Sequence, residues 1–124
     1  MSEADRLLQH VERLVRSNVY GAFLIVSVAG TEDFLQMSAG PGAVQLDLPL
    51  ITPRQAALEP EIRAVAAGEG LSVYESEGTD GARFLDMDLE KDSARVAAVC
   101  RAFLRGVFGA GEGARLEFEG DGLG

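Results

Sequence analysis

The side chains that most often carry nucleophilic catalysis are scarce in this chain. His10 is its only histidine and Cys100 its only cysteine. His10 directly precedes Val11, a core position of the first predicted helix, which is typical of a histidine at the edge of a packed face. Cys100 falls within the apolar stripe of the last predicted helix, where a buried thiol is unreactive. We therefore predict that the chain has no catalytic residue and is not an enzyme.

A pair of carboxylates is the one catalytic arrangement that the composition leaves open. With 20 acidic residues in a small domain, some carboxylates will lie close together by chance. An enzyme of this kind would need a deep cleft with at least two converging acids. The spacing of the acids along the chain selects no particular pair.

Acidic residues recur at alternate positions in one stretch, as they do at the start of a calcium-binding loop: Asp86, Asp88, Glu90 and Asp92. Such a loop requires glycine at its sixth place and glutamate at its twelfth, and these places hold Lys91 and Ala97. We predict no metal site. Asp86 and Asp88 are expected on the solvent face of a strand, and Glu90 and Asp92 near the N-terminus of a helix, where negative charge is favourable.

The glycines between the second and third predicted strands do not form a phosphate-binding loop. Gly40 and Gly42 have no Gly-x-Gly-x-x-Gly pattern around them and no Lys-Ser or Lys-Thr after them. A turn between two strands is the simpler interpretation. We predict no cofactor.

The charge balance excludes two classes of partner. With 20 acidic against 11 basic residues, the formal charge of −9 would repel a nucleic-acid backbone and an anionic membrane surface alike. The first residues are acidic where a secretory signal would be basic, and no apolar run approaches the roughly 20 residues that span a bilayer. A single cysteine allows no intramolecular disulfide. We expect a cytoplasmic protein that binds neither nucleic acid nor membrane.

Hydrophobic periodicity places these residues on a helix, three strands, a helix, two strands and a helix. The predicted elements cover about residues 3–17, 20–28, 34–39, 44–48, 59–67, 71–76, 83–90 and 92–108. This order predicts the α+β class, with an antiparallel sheet of about five strands and three helices in the order α-β-β-β-α-β-β-α. Residues 1–111 are expected to form the domain. Residues 112–124 form a glycine-rich acidic tail with room for a short strand at 115–118.

The start of the middle helix is well signalled, but its course is interrupted. Thr52 reads as an N-cap, Pro53 as the first helical residue and Gln55 as the third residue of a capping box. Pro60 would remove a backbone hydrogen bond within a continuous helix. We expect either a short turn followed by a helix over 59–67, or one kinked helix.

Apolar residues around this helix have two interpretations. Two of them precede the cap and three form a stripe on the helix: Leu50, Ile51, Leu58, Ile62 and Val65. They can pack onto the sheet, or they can contact a second subunit or another protein. The sequence leaves both interpretations open.

The order of elements, the acidity and the size resemble those of class I type III secretion chaperones over residues 3–109. The most suggestive stretch is a predicted hairpin over residues 34–49, which ends with the acidic-apolar-proline step Asp47-Leu48-Pro49 before the capped middle helix. The final helix, residues 96–108, also matches. The chain departs from the pattern at Pro60 and in its glycine-rich tail.

The resemblance implies a non-enzymatic homodimer that holds an extended segment of a client protein against hydrophobic patches. Carried over to this chain, it implies dimer contacts around Leu58, Ile62 and Val65. The alternative hypothesis is an acidic immunity or inhibitor protein that neutralises a basic partner through a concentrated acidic surface.

Overall fold

The computed structural model describes residues 2–78 and 80–123, which form a six-stranded antiparallel sheet and four helices. The elements are α1 (Glu3–Arg16), β1 (Phe23–Val28), β2 (Phe34–Ala39), β3 (Val44–Pro49), α2 (Pro53–Ala57), α3 (Glu59–Gly68), β4 (Tyr74–Glu77), β5 (Arg83–Leu89), α4 (Ser93–Gly106) and β6 (Leu116–Asp121). The strands lie in the order β4-β5-β3-β2-β1-β6. The predicted α+β class is confirmed, with one strand and one helix more than expected.

Capping boxes begin helices α1 and α2, and the second of them is the one that the sequence predicts. The Ser2 hydroxyl accepts a hydrogen bond from the Asp5 amide at 3.1 Å, and the Asp5 side chain accepts from the Ser2 amide. Thr52 and Gln55 make the equivalent pair at the start of α2. Both boxes satisfy backbone amides that have no partner within the helix, so the two helix starts are determined locally.

The middle helical segment is divided in two. Helix α2 ends at Ala57 and α3 begins at Glu59, with Pro60 in its first turn. A proline is tolerated in that position because the first-turn amides have no carbonyl partner inside the helix. The structure therefore follows the first of the two predicted alternatives.

One face of the sheet and the helices enclose a single core. Alternate strand residues such as Leu24, Met37, Leu46 and Met87 are fully buried in one cluster with Phe103 and other apolar residues of the helices. This period of two is the pattern expected of a strand with one packed face.

The predicted tail contains the sixth strand. All six residues of β6 pair with β1, from Leu116 opposite Val28 to Asp121 opposite Phe23. Leu116 is buried and Phe118 packs against the core, so these two apolar residues hold the segment in the sheet. The strand is longer than the predicted 115–118, and Gly124 lies outside the described residues.

Other boundaries also differ from the prediction. Strand β1 begins at Phe23, and Tyr20, predicted inside it, is fully exposed in the preceding loop. Strand β4 begins at Tyr74 rather than at Leu71. Thr79, in the predicted turn between β4 and β5, lies outside the described residues.

Candidate functional site

The second face of the sheet lies outside the core, and we call it the open face. Its residues alternate with the core residues along all six strands: Phe23, Ile25, Ser27, Phe34, Gln36, Ser38, Gln45, Asp47, Pro49, Tyr74, Ser76, Phe84, Asp86, Asp88, Glu117, Glu119 and Asp121. Four of these are large and aliphatic or phenyl: Phe23, Ile25, Phe34 and Phe84. None of the four belongs to the core cluster or packs against it. All four are half-buried, so the open face presents partly accessible apolar side chains that lie outside the core cluster.

The charges on the open face have one sign. Its acidic residues are Asp47, Asp86, Asp88, Glu117, Glu119 and Asp121. The only basic residue within the six strands is Arg83, which alternates onto the other side and forms ion pairs with Glu75 and Glu59. Because no strand places a basic side chain among these acidic residues, the open face has a negative electrostatic potential that attracts cationic groups.

Strand register brings two aspartates of the open face together. Asp86 on β5 lies opposite Asp47 on β3, with Tyr74 of β4 on its other side. Gln36 of β2 lies opposite Asp47 in the same row. Residues directly opposite in an antiparallel ladder have Cβ atoms only about 5 Å apart, so the two carboxylates interact directly.

The burial of this pair corrects the expectation that Asp86 lies on a solvent-exposed strand face. Asp86 is 1% exposed and Asp47 is 7% exposed, although both alternate with core residues as predicted. Gln45 Nε2 donates a hydrogen bond to Asp47 Oδ1 at 2.7 Å, whereas neither oxygen of Asp86 has a hydrogen-bond partner. The neighbouring side chains of the face exclude water where the sequence pattern predicts solvent.

Burial of the pair changes how it holds protons. Burial raises the pKa of Asp47 to about 7, and the neighbouring carboxyl group of Asp86 is the next cause. Two ionised carboxylates can only accept hydrogen bonds, so the pair is satisfied when one of them carries a proton and donates it. The raised pKa of Asp47 means that this carboxyl carries a proton below about pH 7.

Tyr74 on β4 and Asp88 on β5 border the pair. The Tyr74 hydroxyl donates to Asp88 Oδ1 at 3.1 Å, and the Tyr74 side chain is partly exposed. Burial and the bond to Asp88 raise the pKa of Tyr74 to about 12, so its hydroxyl keeps its proton at neutral pH. The pair and its neighbours thus comprise three carboxylates, one phenol and the amides of Gln36 and Gln45.

The residues of the failed calcium-loop pattern have separate places. Asp92 caps α4, where its Oδ1 accepts from the Arg95 amide at 3.2 Å, while Asp86 and Asp88 lie on the open face. Over residues 2–78 and 80–123, no group of three or more His, Cys, Asp or Glu side chains is placed to hold a metal ion.

His10 and Cys100 each have packing partners that account for them. The His10 ring stacks on Phe118 with 4.2 Å between ring centroids, and its Nδ1 lies 2.8 Å from the carbonyl of Arg6. Cys100 is buried, its Sγ lies 3.4 Å from Met37 Sδ, and burial raises the pKa of its thiol to about 12. His10 thus packs α1 against β6, and Cys100 fills space in the core.

The five predicted contact residues are distributed unevenly. Leu50 and Ile62 are buried in the core, and Leu58 and Val65 are half-buried against it. Ile51 is 51% exposed. Packing within the chain thus accounts for most of the stripe on α3, and Ile51 is the member that offers a free surface. Whether these residues contact a second copy stays a prediction.

Two surface pockets lie away from the aspartate pair. One of about 420 Å³ lies between the start of α1 and the end of α4, with Arg101, Arg105 and Glu112 in its lining. Another of about 530 Å³ lies at the loop before β1, beside the exposed Val19 and Tyr20. Neither pocket contains two carboxylates in its lining, so neither matches the cleft that an acid-base pair would need.

Comparison of the chain with models of known protein families, with curated proteins and with solved structures finds no match. None of the helices in the described part of the chain is long and apolar enough to span a membrane.

Sequence reasoning identifies the polar faces of β3 and β5 but not the aspartate pair. Asp47 and Asp86 are 39 positions apart along the chain, and only the pairing of β3 with β5 makes them neighbours. Their alternation with leucine and methionine is the one available signal, and it predicts solvent exposure rather than a buried pair.

Proposed function

We propose that this chain is a non-enzymatic protein-binding module that holds a segment of another protein on its open face. The observation that supports this function most strongly is the combination of half-buried apolar residues outside the core with acidic residues on a single sheet face. A face of this composition suits a partner segment that alternates apolar and basic side chains. This proposal keeps the client-binding role that the resemblance to secretion chaperones implies.

Register supports an extended rather than a compact ligand. Rows of side chains cross the sheet, and in one of them Ile25 lies beside Glu119 on one side and Gln36 on the other. A strand-like segment can place its apolar side chains on Ile25 and Phe34 while its basic side chains reach the flanking acids.

The partners in this proposal are an unidentified client protein and a second copy of the chain. The client contacts the open face, and the homodimer forms elsewhere, around Ile51 at the junction of β3 and α2. Ile51 supports this assignment because it is a large apolar residue that stays exposed next to the core. The two contacts use different residues and can be tested separately.

The proposed function is tested by measuring binding to immobilised short peptides of basic and of acidic composition. We expect basic, partly apolar peptides to bind, acidic ones not to bind, and binding to weaken with added salt. Ile25→Thr should weaken binding because it removes apolar surface from the open face. Val19→Thr is the matched control, since Val19 is exposed in the loop before β1.

Glu119→Gln tests the charge component in the same assay. It removes a negative charge beside Ile25, and Glu90→Gln removes one from an exposed position outside the strands. We expect the first change alone to reduce the preference for basic peptides. Equal binding of acidic and basic peptides, or binding that none of the open-face variants alters, would contradict the proposal.

An acidic immunity or inhibitor protein is the second candidate, because the acids of the open face also form a concentrated negative surface. Such a protein would bind a folded basic domain more tightly than the unfolded form of that domain. A module that holds an extended segment would instead bind the unfolded form more tightly than the folded form. A competition experiment with the folded and the chemically unfolded forms of one basic protein separates the two functions.

A further inference from the structure

Asp86 is the least satisfied polar side chain on the open face. It is 1% exposed, and both of its carboxylate oxygens lack a hydrogen-bond partner. A buried carboxylate without a partner is unfavourable, because desolvation of its charge is not offset by hydrogen bonds. Either a proton on a neighbouring group or a cation from outside must satisfy it.

The groups around Asp86 provide no positive charge. Asp47 faces it from β3, Tyr74 faces it from β4, and Asp88 lies two positions along β5. Gln36, the residue of β2 in the same row, is uncharged. The titratable groups that face Asp86 are therefore two acids and a phenol.

We infer that Asp47 and Asp86 share one proton in the free protein and form the docking site for the guanidinium group of an arginine in the bound segment, which replaces that proton. The inference rests on the proposed function and names the side chain that the open face selects. In the free protein, the protonated Asp47 carboxyl donates to Asp86, and in the complex the guanidinium donates to both.

The chemistry of the site favours arginine over lysine. A guanidinium group presents parallel N–H donors that match the two unpaired oxygens of one carboxylate, whereas an ammonium group is a compact point charge. Tyr74 is 43% exposed and lies opposite Asp86 in the strand register, so its ring offers a surface for stacking.

Tyr74 lies at the β4 edge of the pair. Its hydroxyl reaches Asp88, two residues beyond its cross-strand partner Asp86, so the ring runs along the edge of the pair. Strand β4 is an edge strand of four residues, Tyr74–Glu77, and the hydrogen bond to Asp88 is exposed. In this proposal the Tyr74 side chain rotates away from the pair when the ligand binds, which breaks its exposed hydrogen bond to Asp88.

The exchange balances in charge and protons. The O–H bond of the Asp47 carboxyl breaks, the bonding electron pair stays on the oxygen and the proton passes to solvent. The guanidinium group keeps its own protons, because its pKa is above about 12. Binding therefore releases up to one proton per complex below the pKa of Asp47 and fewer above it.

Isothermal titration calorimetry tests this exchange with three capped peptides that differ only at one central residue: arginine, lysine or citrulline. Citrulline has the shape of arginine without its charge. We expect the arginine peptide to bind about tenfold or more tightly than the citrulline peptide, with lysine between them. Titrations at pH 6 in buffers of different ionisation enthalpy should show proton release for the arginine peptide.

Asp86→Asn is the decisive variant, and Asp121→Asn is its matched control on the same face. Asp86→Asn should weaken arginine-peptide binding about tenfold or more and abolish proton release, because it removes the paired carboxylate. Asp121 is exposed, so its change should weaken binding no more than about threefold and leave proton release intact. If Asp86→Asn fails to fold, Asp47→Asn provides the same test from the other side of the pair.

The failure of this inference can be told from failure of the proposed function. If Ile25→Thr weakens peptide binding while Asp86→Asn has no more effect than Asp121→Asn, the open face binds a segment but the aspartate pair is not its arginine site. Equal affinity for the arginine and citrulline peptides, or the absence of proton release, leads to the same conclusion. If no peptide binds the open face, both proposals are overturned.

Discussion

At the scale of single residues, Asp47 connects the buried pair to the stability of the fold. Its pKa in the folded chain, about 7, lies above its ordinary value of 3.8. Between these values the folded chain binds more protons than the unfolded chain, so the free energy of unfolding falls as pH rises from about 4 to about 7. The contribution of the protonated Asp47 carboxyl to the free energy of unfolding is fully present below about pH 4 and is lost above about pH 7.

Asp47→Asn should remove the decrease in the free energy of unfolding between about pH 4 and pH 7, because the asparagine amide donates to Asp86 at every pH. Urea unfolding at a series of pH values should show a variant more stable than the wild type at pH 8, by on the order of a few kcal/mol, with a smaller difference at pH 4. Asp121→Asn, a change of the same type at an exposed site, should follow the wild-type profile. Parallel profiles for the wild type and Asp47→Asn would contradict this expectation.

Cys100 provides a second test at the residue scale. The thiol is buried and its pKa is raised to about 12, so almost no reactive thiolate is present at neutral pH. We expect a thiol reagent to modify the folded protein at the rate of global unfolding and the denatured protein at once. Rapid modification of the folded chain would show that the core around α4 opens locally.

At the scale of elements, β6 depends on a close approach to β1. A Cβ atom added at Gly120 would lie 2.9 Å from the backbone oxygen of Phe23 and 2.7 Å from Leu123 Cδ1. Only the Leu123 side chain can move aside easily, whereas the Phe23 carbonyl belongs to a strand of the sheet. Gly120 therefore sets how closely the last strand packs.

Gly120→Ala should destabilise the protein by about 1–3 kcal/mol, as measured by thermal or urea unfolding. Gly113→Ala is the matched control, because a Cβ atom there meets no heavy atom within 4 Å. Equal stabilities of the two variants would indicate that β6 is not held against β1 as the structure describes.

At the scale of the whole molecule, Ile51 is the position at which to test the homodimer. Ile62→Asp would place a charge in the core, where Ile62 is 1% exposed, and would unfold the chain whatever its oligomeric state. Ile51→Asp places the charge at an exposed site. Light scattering coupled to size exclusion should show twice the chain mass for the wild type and the chain mass for this variant.

Val19→Asp is the control for the dimer, because Val19 is exposed in a different region, the loop before β1. It should leave the dimer intact. A monomeric wild type at low and at high salt would contradict the homodimer, while the open face could still bind a client segment. The peptide-binding assay and the mass measurement therefore address independent parts of the proposal.

Local patterns predict most of the fold because the physical causes of its elements are local. The capping boxes at Ser2 and Thr52, the division before Pro60 and the extent of β2 follow from hydrogen bonding and alternation within a few residues. The sixth strand was anticipated only as a short segment. Its alternating Leu116 and Phe118 are too few to show that it pairs along the whole of β1.

Composition and periodicity are sufficient to predict the α+β class, the order of elements from α1 to α4 and the acidity of the chain. Which acids lie next to each other follows from the tertiary structure alone. Register places Asp47 opposite Asp86, and neighbouring side chains then bury a pair that alternation alone assigns to solvent. Pairing between distant strands depends on contacts across the whole sheet, and no local pattern encodes it.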